Sequence, residues 1–208
     1  MVFPDCGPLP LGLYPIVDSA AWITRLAPLG ISTIQLRIKE KPLTCIEQEI
    51  IQSIKVAEKY KLRLFINDYW ELALKHHAYG IHLGQEDLTT ANCNEIAKAG
   101  LRLGISTHCH EEVATALAVQ PSYLAYGPVY ETTSKAMAFS PRGLARLRYW
   151  RQTIDYPLVA IGGITQQRLV EVLQCGVDGV ALISEITKAQ DPEKTTKQLV
   201  AAIREYYE

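Results

Sequence analysis

A chain of 208 residues with 48% hydrophobic and 21% charged residues has the composition of one folded domain with a large core. This balance excludes a disordered chain, a fibrous repeat and a small disulfide scaffold. The formal net charge of −1 argues against a nucleic-acid partner, so a local cluster of Lys and Arg must hold any anionic ligand.

The cysteines and the N-terminal residues predict where in the cell the protein is found. The cysteine count is odd, the spacing is wide and no C-x-x-C pair occurs, which is typical of reduced thiols rather than of a disulfide frame or a zinc site. No Lys or Arg precedes Arg25, so the basic region of a secretory signal is lacking. No apolar run approaches the roughly 18 residues that span a bilayer. We therefore expect a cytoplasmic protein without a membrane partner.

Short apolar runs alternate with longer amphipathic stretches along the chain. Strands are predicted over 13–17, 32–38, 62–66, 79–83, 101–105, 122–127, 157–161 and 178–183. Helices are predicted over 19–29, 43–60, 69–77, 90–99, 110–119, 141–152, 165–174 and 191–206. Eight alternating units favour a closed (β/α)₈ barrel, the TIM barrel, over an open doubly wound sheet. With no linker or composition break, residues 1–208 are predicted to form a single catalytic domain.

The second predicted strand carries three polar residues in alternation. Gln35, Arg37 and Lys39 share one face of the strand, and the intervening isoleucines and leucine share the other. A strand covered by helices has no wet outer face, so these polar residues must point into the barrel mouth. Cations buried there need an anion. A ligand role is therefore favoured over an edge strand with one solvated face.

Carboxylates follow the next two strands. Asn67 and Asp68 come after the third strand, and Gln85, Glu86 and Asp87 come after the fourth. Carboxylates from adjacent strand ends can share one Mg²⁺ with substrate phosphates and water. Each Asp also precedes a helical stretch and could simply cap it. The pairing across strands, opposite three polar or cationic side chains, favours the metal.

The fifth strand ends in Ser106-Thr107-His108. The Ser106 and Thr107 hydroxyls are interpreted as helix caps or as ligand contacts. His108 is a candidate acid or base, but a single histidine in a loop does not establish a role. His82 lies inside the fourth strand and is interpreted as a packed or hydrogen-bonded core residue.

The last three strand ends are typical of phosphate binding. Residues 132–135 read Thr-Thr-Ser-Lys, which places hydroxyls and one cation within a single loop. Gly162-Gly163 precedes a helix and would let backbone N–H groups approach a phosphate closely. Ile183-Ser184 follows the eighth strand, and the loops after strands seven and eight are the usual phosphate site of this architecture. The mouth would thus accept two anionic groups.

Taken together, the motifs resemble the thiamine-phosphate synthase family over about residues 12–188. The resemblance rests on QLRIK (35–39), INDYW (66–70), GIHLGQEDL (80–88), GISTH (104–108), YGPVYETTSK (126–135), AIGGI (160–164) and Ile183-Ser184. It implies a (β/α)₈ barrel, small-molecule substrates and a Mg²⁺ cofactor. It also implies a transferase that joins 4-amino-2-methyl-5-hydroxymethylpyrimidine diphosphate to a hydroxyethylthiazole phosphate.

The same resemblance implies residue roles. Arg37, Lys39, Lys135 and Ser106 would be catalytic. The diphosphate would be held by Gln35, Arg37, Lys39, Asn67 and Lys135, and the pyrimidine by Ser106. The thiazole phosphate would be held by Thr132, Ser134, Gly163, Ile183 and Ser184. Mg²⁺ would be held by Asp68 and Asp87.

The chain departs from the family pattern in one loop. Ser134 stands where Thr is common, and Glu131 stands where Pro is common, so we expect weaker binding of the thiazole phosphate. Three other readings stay open: a thiazole tautomerase that shares the barrel, a non-catalytic sensor of thiamine phosphate, and a sugar-phosphate isomerase. The presence of all residues assigned to the diphosphate argues against the tautomerase. The Asp68–Asp87 pair argues against the sensor, and the lack of an acid and a base that face each other across the mouth argues against the isomerase.

Overall fold

Eight parallel strands form a closed barrel in the computed structural model, which describes residues 2–132 and 140–208. The strands are β1 (Gly12–Val17), β2 (Thr33–Leu36), β3 (Arg63–Asn67), β4 (Gly80–Leu83), β5 (Arg102–Thr107), β6 (Tyr123–Tyr126), β7 (Leu158–Ile161) and β8 (Gly179–Leu182). Each strand pairs with the next along the chain, and β8 closes the barrel on β1. The predicted (β/α)₈ architecture is confirmed.

Helices follow the strands and surround the barrel. They are α1 (Ala20–Leu26), α2 (Leu43–Tyr60), α3 (Trp70–Lys75), α4 (Gln85–Thr90), α5 (Cys93–Lys98), α6 (His110–Val119), α7 (Gly143–Thr153), α8 (Leu169–Leu173), α9 (Ser184–Thr187) and α10 (Pro192–Tyr207). Two 3₁₀ turns, Ala27–Leu29 and Gln166–Arg168, extend the helical connections.

The predicted helix over 90–99 is present as the shorter α5, but the sequence did not predict α4 before it. The chain forms α4 directly after β4, becomes extended at Ala91, and restarts as α5. The Asn92 side chain accepts a hydrogen bond from the Glu95 N–H at 3.2 Å, which caps the second helix. The segment 85–90 contains a single apolar residue, so its sequence lacks the period that marks a helix.

Alternate strand residues face two different cores. The outer core lies between strands and helices and includes Ile34, Leu36 and Ile38. Gln35, between them in sequence, is buried on the inner side. The predicted division of this strand into an apolar outer face and a polar inner face is therefore confirmed.

The inner core fills the barrel with Tyr14, Ile16, Phe65, Tyr123 and smaller side chains. Gly104 makes room for the largest of them, because a methyl group at this position would overlap the Tyr123 ring on the adjacent strand. The barrel is thus a packed core rather than a pore, and it can hold a ligand only at its mouth.

The N-terminal segment covers the bottom of the barrel. The Arg63 guanidinium donates hydrogen bonds to the carbonyls of Cys6, Pro8 and Pro10 at 3.3, 2.6 and 3.2 Å. The Tyr79 hydroxyl donates to the Cys6 carbonyl at 2.9 Å. These contacts hold residues 6–10 across the end that lies away from the strand C-termini. Within residues 2–132 and 140–208, every helix is too short or too polar to cross a bilayer.

Candidate active site

A cavity of about 340 Å³ lies at the C-terminal mouth of the barrel. Its wall is formed by residues from the ends of all eight strands and from the loops after them. Predicted site residues in this wall are Gln35, Arg37, Lys39, Asn67, Asp68, Ser106, Thr132, Gly163, Ile183 and Ser184. Asp87 lies behind the wall, beside Asp68, as described below. Ser134 and Lys135 lie outside the described residues, so their predicted roles stay predictions.

One side of the cavity is cationic. Gln35, Arg37 and Lys39 continue the inner face of β2 out to the rim, and the Arg37 N–H still pairs with the Val17 carbonyl at 2.7 Å. The Lys39 Nζ lies 2.5 Å from Asp68 Oδ2. The extended backbone therefore carries two cations side by side along the wall, which suits an elongated anion.

The two predicted metal ligands lie together. The Asp68 backbone adopts a left-handed conformation (φ 66°), and its N–H donates to the His82 carbonyl at 3.0 Å, which ties the end of β3 to β4. The pKa of Asp87 is raised, first by burial and then by the neighbouring charge of Asp68. The Asp68 side chain makes no N-cap hydrogen bond to α3. Asp87 lies in the first turn of α4, where its carboxylate accepts a hydrogen bond from the backbone N–H of Gly84, so for Asp87 the predicted alternative of helix capping stays open.

This carboxylate pair fits a hard divalent cation. Burial is the main cause of the raised pKa of Asp87, the negative charge of Asp68 adds to it, and Lys39 and the Gly84 N–H only partly offset both. Among the described residues no cluster of three or more His, Cys, Asp and Glu side chains forms a metal site. The protein would thus supply two carboxylates and leave the remaining positions to water and phosphate, as Mg²⁺ prefers.

The opposite side of the cavity is built from backbone. Gly162 and Gly163 follow β7 with φ of 99° and 63°, a conformation that favours glycine. A methyl group on Gly163 would overlap the Glu131 carbonyl, so this turn packs directly against the loop after β6. The Tyr130 N–H donates to the Gly162 carbonyl at 3.0 Å and fixes the two loops together. Thr132 and Ser184, which carry hydroxyls, also line the cavity.

Ser106 lies within β5 and points into the cavity. The helix after it begins at His110 with Cys109 as the N-cap, so neither Ser106 nor Thr107 caps a helix. The Ser106 Oγ lies 2.8 Å from His82 Nε2. The interpretation of His82 as a hydrogen-bonded core residue is confirmed, but the same residue also lines the cavity.

Sequence reasoning missed several lining residues. Tyr14, His82, Glu86 and His108 contribute to the wall without a predicted role. His82 and Tyr14 could have been found by the alternation that placed Gln35, since each lies on the inner face of its strand. His108 is held by Glu112, whose carboxylate lies 2.7 Å from His108 Nδ1.

Comparison with known proteins assigns the family. Residues 13–186 match the family model described as thiamine monophosphate synthase. The chain belongs to this family. A thiamine-phosphate synthase of Photorhabdus laumondii is 56% identical over 191 residues, which cover 91% of this chain and 88% of that protein. One from Klebsiella pneumoniae is 50% identical over 204 residues and covers 97% of both chains.

A solved structure agrees with this assignment. The thiamine phosphate pyrophosphorylase from Pyrococcus furiosus superposes with a TM-score of 0.84 at 30% identity, over 95% of this chain and 98% of that one. The family is one of transferases, and the resemblance predicted from the motifs is confirmed.

Proposed function

We propose that this protein is a thiamine-phosphate synthase that binds a pyrimidine diphosphate and a thiazole phosphate in one cavity. The observation that carries the proposal is the pairing of two different anion sites. Arg37 and Lys39 with the Asp68–Asp87 pair form one side, and the Gly162-Gly163 turn with its hydroxyl neighbours forms the other. A tautomerase or a product sensor would need only the second.

The first substrate is assigned to the cationic side. The diphosphate of 4-amino-2-methyl-5-hydroxymethylpyrimidine diphosphate would contact Gln35, Arg37, Lys39, Asn67 and Lys135. Its ring would contact Ser106. The second substrate, 4-methyl-5-(2-phosphoethyl)thiazole or its carboxylated form, would place its phosphate against Thr132, Ser134, Gly163, Ile183 and Ser184.

Asp68 and Asp87 would hold Mg²⁺ beside the diphosphate. When bound, the ion would supply positive charge to the diphosphate oxygens. The raised pKa of Asp87 supports this assignment, because burial and the neighbouring charge of Asp68 both disfavour its ionised form and a bound cation would favour it. Lys39, in contact with Asp68, would then lie next to both the metal site and the diphosphate.

The reaction needs no strong base. The C–O bond to the diphosphate breaks first, and both electrons leave with the diphosphate oxygen. The pyrimidine amino group stabilises the resulting carbocation, and the lone pair of the neutral thiazole nitrogen then forms the new C–N bond. If the thiazole is carboxylated, carbon dioxide also leaves. Arg37, Lys39 and Lys135 would stabilise the charge that grows on the diphosphate through fixed electrostatics, and the enclosed mouth would keep water from the cation.

A coupling assay tests the proposal. The purified protein is incubated with both substrates and Mg²⁺, and thiamine phosphate is oxidised to fluorescent thiochrome. We expect product only when both substrates are present. Binding of both substrates without product would overturn the proposal and favour the tautomerase or the sensor.

Metal removal tests the cofactor separately. We expect EDTA to abolish turnover and excess Mg²⁺ to restore it, because two carboxylates and a diphosphate without a cation repel one another. Full turnover in EDTA would remove Mg²⁺ from the proposal and leave the synthase assignment intact.

The odd number of widely spaced cysteines in the sequence supports a further proposal, a cytoplasmic location.

A further inference from the structure

Three buried polar side chains connect Gln35, which is assigned to the diphosphate, with Ser106, which is assigned to the pyrimidine ring, through the barrel interior. Gln35 Nε2 lies 3.3 Å from the Tyr14 hydroxyl, which lies 2.7 Å from the Tyr123 hydroxyl. His82 completes the path, because its Nδ1 is 2.7 Å from the Tyr123 hydroxyl and its Nε2 is 2.8 Å from Ser106 Oγ. Tyr14, Tyr123 and His82 are each at most 5% exposed. We call this path from Gln35 to Ser106 the interior relay.

The interior relay has a direction. The amide nitrogen of Gln35 can only donate, so the Tyr14 oxygen accepts from it. Burial raises the pKa of Tyr14 and of Tyr123, so both hydroxyls keep their protons. Tyr14 then donates to Tyr123, and Tyr123 donates to Nδ1 of His82. In the opposite direction the Tyr14 proton would have no acceptor along the relay, which is costly in a buried network.

The direction determines how Ser106 can bind a ligand. A neutral imidazole that accepts at Nδ1 carries its proton on Nε2, so His82 donates to Ser106 Oγ. The proton of Ser106 is then directed elsewhere, and the residue lines the cavity. We propose that the interior relay makes Ser106 a hydrogen-bond donor to the substrate, with Tyr123 and His82 as positioning residues. This inference rests on the proposed function.

A donor at Ser106 distinguishes between the groups of the proposed substrate. The ring nitrogens of an aminopyrimidine accept hydrogen bonds, whereas its exocyclic amino group presents N–H donors. The relay therefore favours contact with a ring nitrogen and disfavours a ring that turns its amino group towards Ser106. In this way the relay would select one orientation of the pyrimidine.

The packing of the barrel keeps the relay in place. The Tyr123 ring lies over Gly104 and makes edge contacts with Phe65 and Tyr14, at centroid distances of 5.1 and 5.9 Å. The His82 ring stacks on it at 5.7 Å. Phenylalanine would fill the positions of both tyrosines with no polar group to satisfy, so packing alone does not require the two hydroxyls.

The tautomer of His82 tests the relay without any substrate. The full-length protein is labelled with ¹⁵N-histidine and studied by NMR at neutral pH, and the His82→Gln variant identifies the two signals of this ring. We expect a neutral ring with the proton on Nε2. A proton on Nδ1, or a charged ring, would overturn the relay as proposed, whether or not the protein is a synthase.

A double-mutant cycle tests the positioning role. We expect Tyr123→Phe to lower kcat/KM for the pyrimidine diphosphate by about fivefold to tenfold, the effect of one neutral hydrogen bond, and to leave the KM of the thiazole phosphate unchanged. In the Ser106→Ala background the same substitution should have no further effect. Tyr126→Phe is the matched control, because this tyrosine lies on the same strand but packs outward against Trp150.

The outcomes separate the two proposals. An equal loss from Tyr123→Phe in both backgrounds would show a structural role and overturn the positioning role. Unchanged pyrimidine kinetics in Ser106→Ala would overturn both the inference and the pyrimidine contact assigned to Ser106. Absence of turnover in the wild-type protein would overturn the proposed function alone, because the NMR result does not depend on it.

Discussion

Replacing Lys39 with alanine separates catalysis from stability. Its Nζ lies 2.5 Å from Asp68 Oδ2, and its side chain is 49% exposed. An ion pair this exposed contributes at most about 1 kcal/mol to the free energy of unfolding, so the Tm should fall by no more than about 2–4 °C. The catalytic loss should be larger, because the charge on the leaving diphosphate develops in the transition state. Loss of one such donor lowers turnover about 10²-fold or more, about 2.7 kcal/mol.

Lys41→Ala provides the matched control for this measurement. Lys41 is two residues away, lies 3.8 Å from Glu49 and does not contribute to the cavity wall. Turnover of both variants is measured by thiochrome fluorescence with saturating substrates and Mg²⁺. We expect Lys41→Ala to stay within about twofold of wild type, since a surface charge off the site has no transition-state contact. Near-normal turnover of Lys39→Ala, or an equal loss in both variants, would refute the role assigned to Lys39.

Three further variants test other parts of the account. Asp87→Asn should abolish Mg²⁺-dependent turnover yet raise the Tm of the metal-free protein. Burial and then the charge of Asp68 raise the pKa of this carboxyl, so the folded state disfavours its charged form, and the neutral amide removes that cost. A lower Tm of the variant would contradict this reasoning. Arg63→Met should lower the free energy of unfolding by about 3 kcal/mol in urea titration, since three hydrogen bonds to backbone carbonyls are lost. Turnover at 25 °C should stay near wild type. An unchanged urea midpoint would show that other contacts, such as the Tyr79 hydrogen bond to Cys6, hold residues 6–10. Gly163→Ala should raise the KM of the thiazole phosphate about tenfold or more and leave the KM of the pyrimidine diphosphate unchanged. The added methyl group would overlap the Glu131 carbonyl, and a φ of 63° disfavours alanine. Equal increases in both KM values would point to general unfolding of the mouth.

Alternation along strands made much of the site predictable from the sequence. Once the barrel was expected, Gln35, Arg37 and Lys39 had to face inward, and they do. The meeting of Asp68 and Asp87 followed from the pairing of neighbouring strand ends. His82 obeys the same alternation, but a single histidine in a strand carries no signal that separates a core residue from a site residue.

Other features depend on contacts that no local pattern reveals. Arg63 binds carbonyls more than 50 positions away in an irregular segment, so nothing near it in sequence predicts the covered barrel bottom. The space that Gly104 leaves for Tyr123 depends on the register between β5 and β6. The helix α4 was not predicted because its segment has one apolar residue, and the start of the next helix, α5, depends on a cap at Asn92.

The central claim is that two phosphorylated substrates share one barrel mouth. A crystal structure of the full chain with thiamine phosphate, diphosphate and Mg²⁺ tests it most directly. We expect the metal at the Asp68–Asp87 pair, the diphosphate against Arg37 and Lys39, and the product phosphate at Gly163 and Ser184. A product phosphate on the Lys39 side, or a product bound outside the cavity, would contradict it.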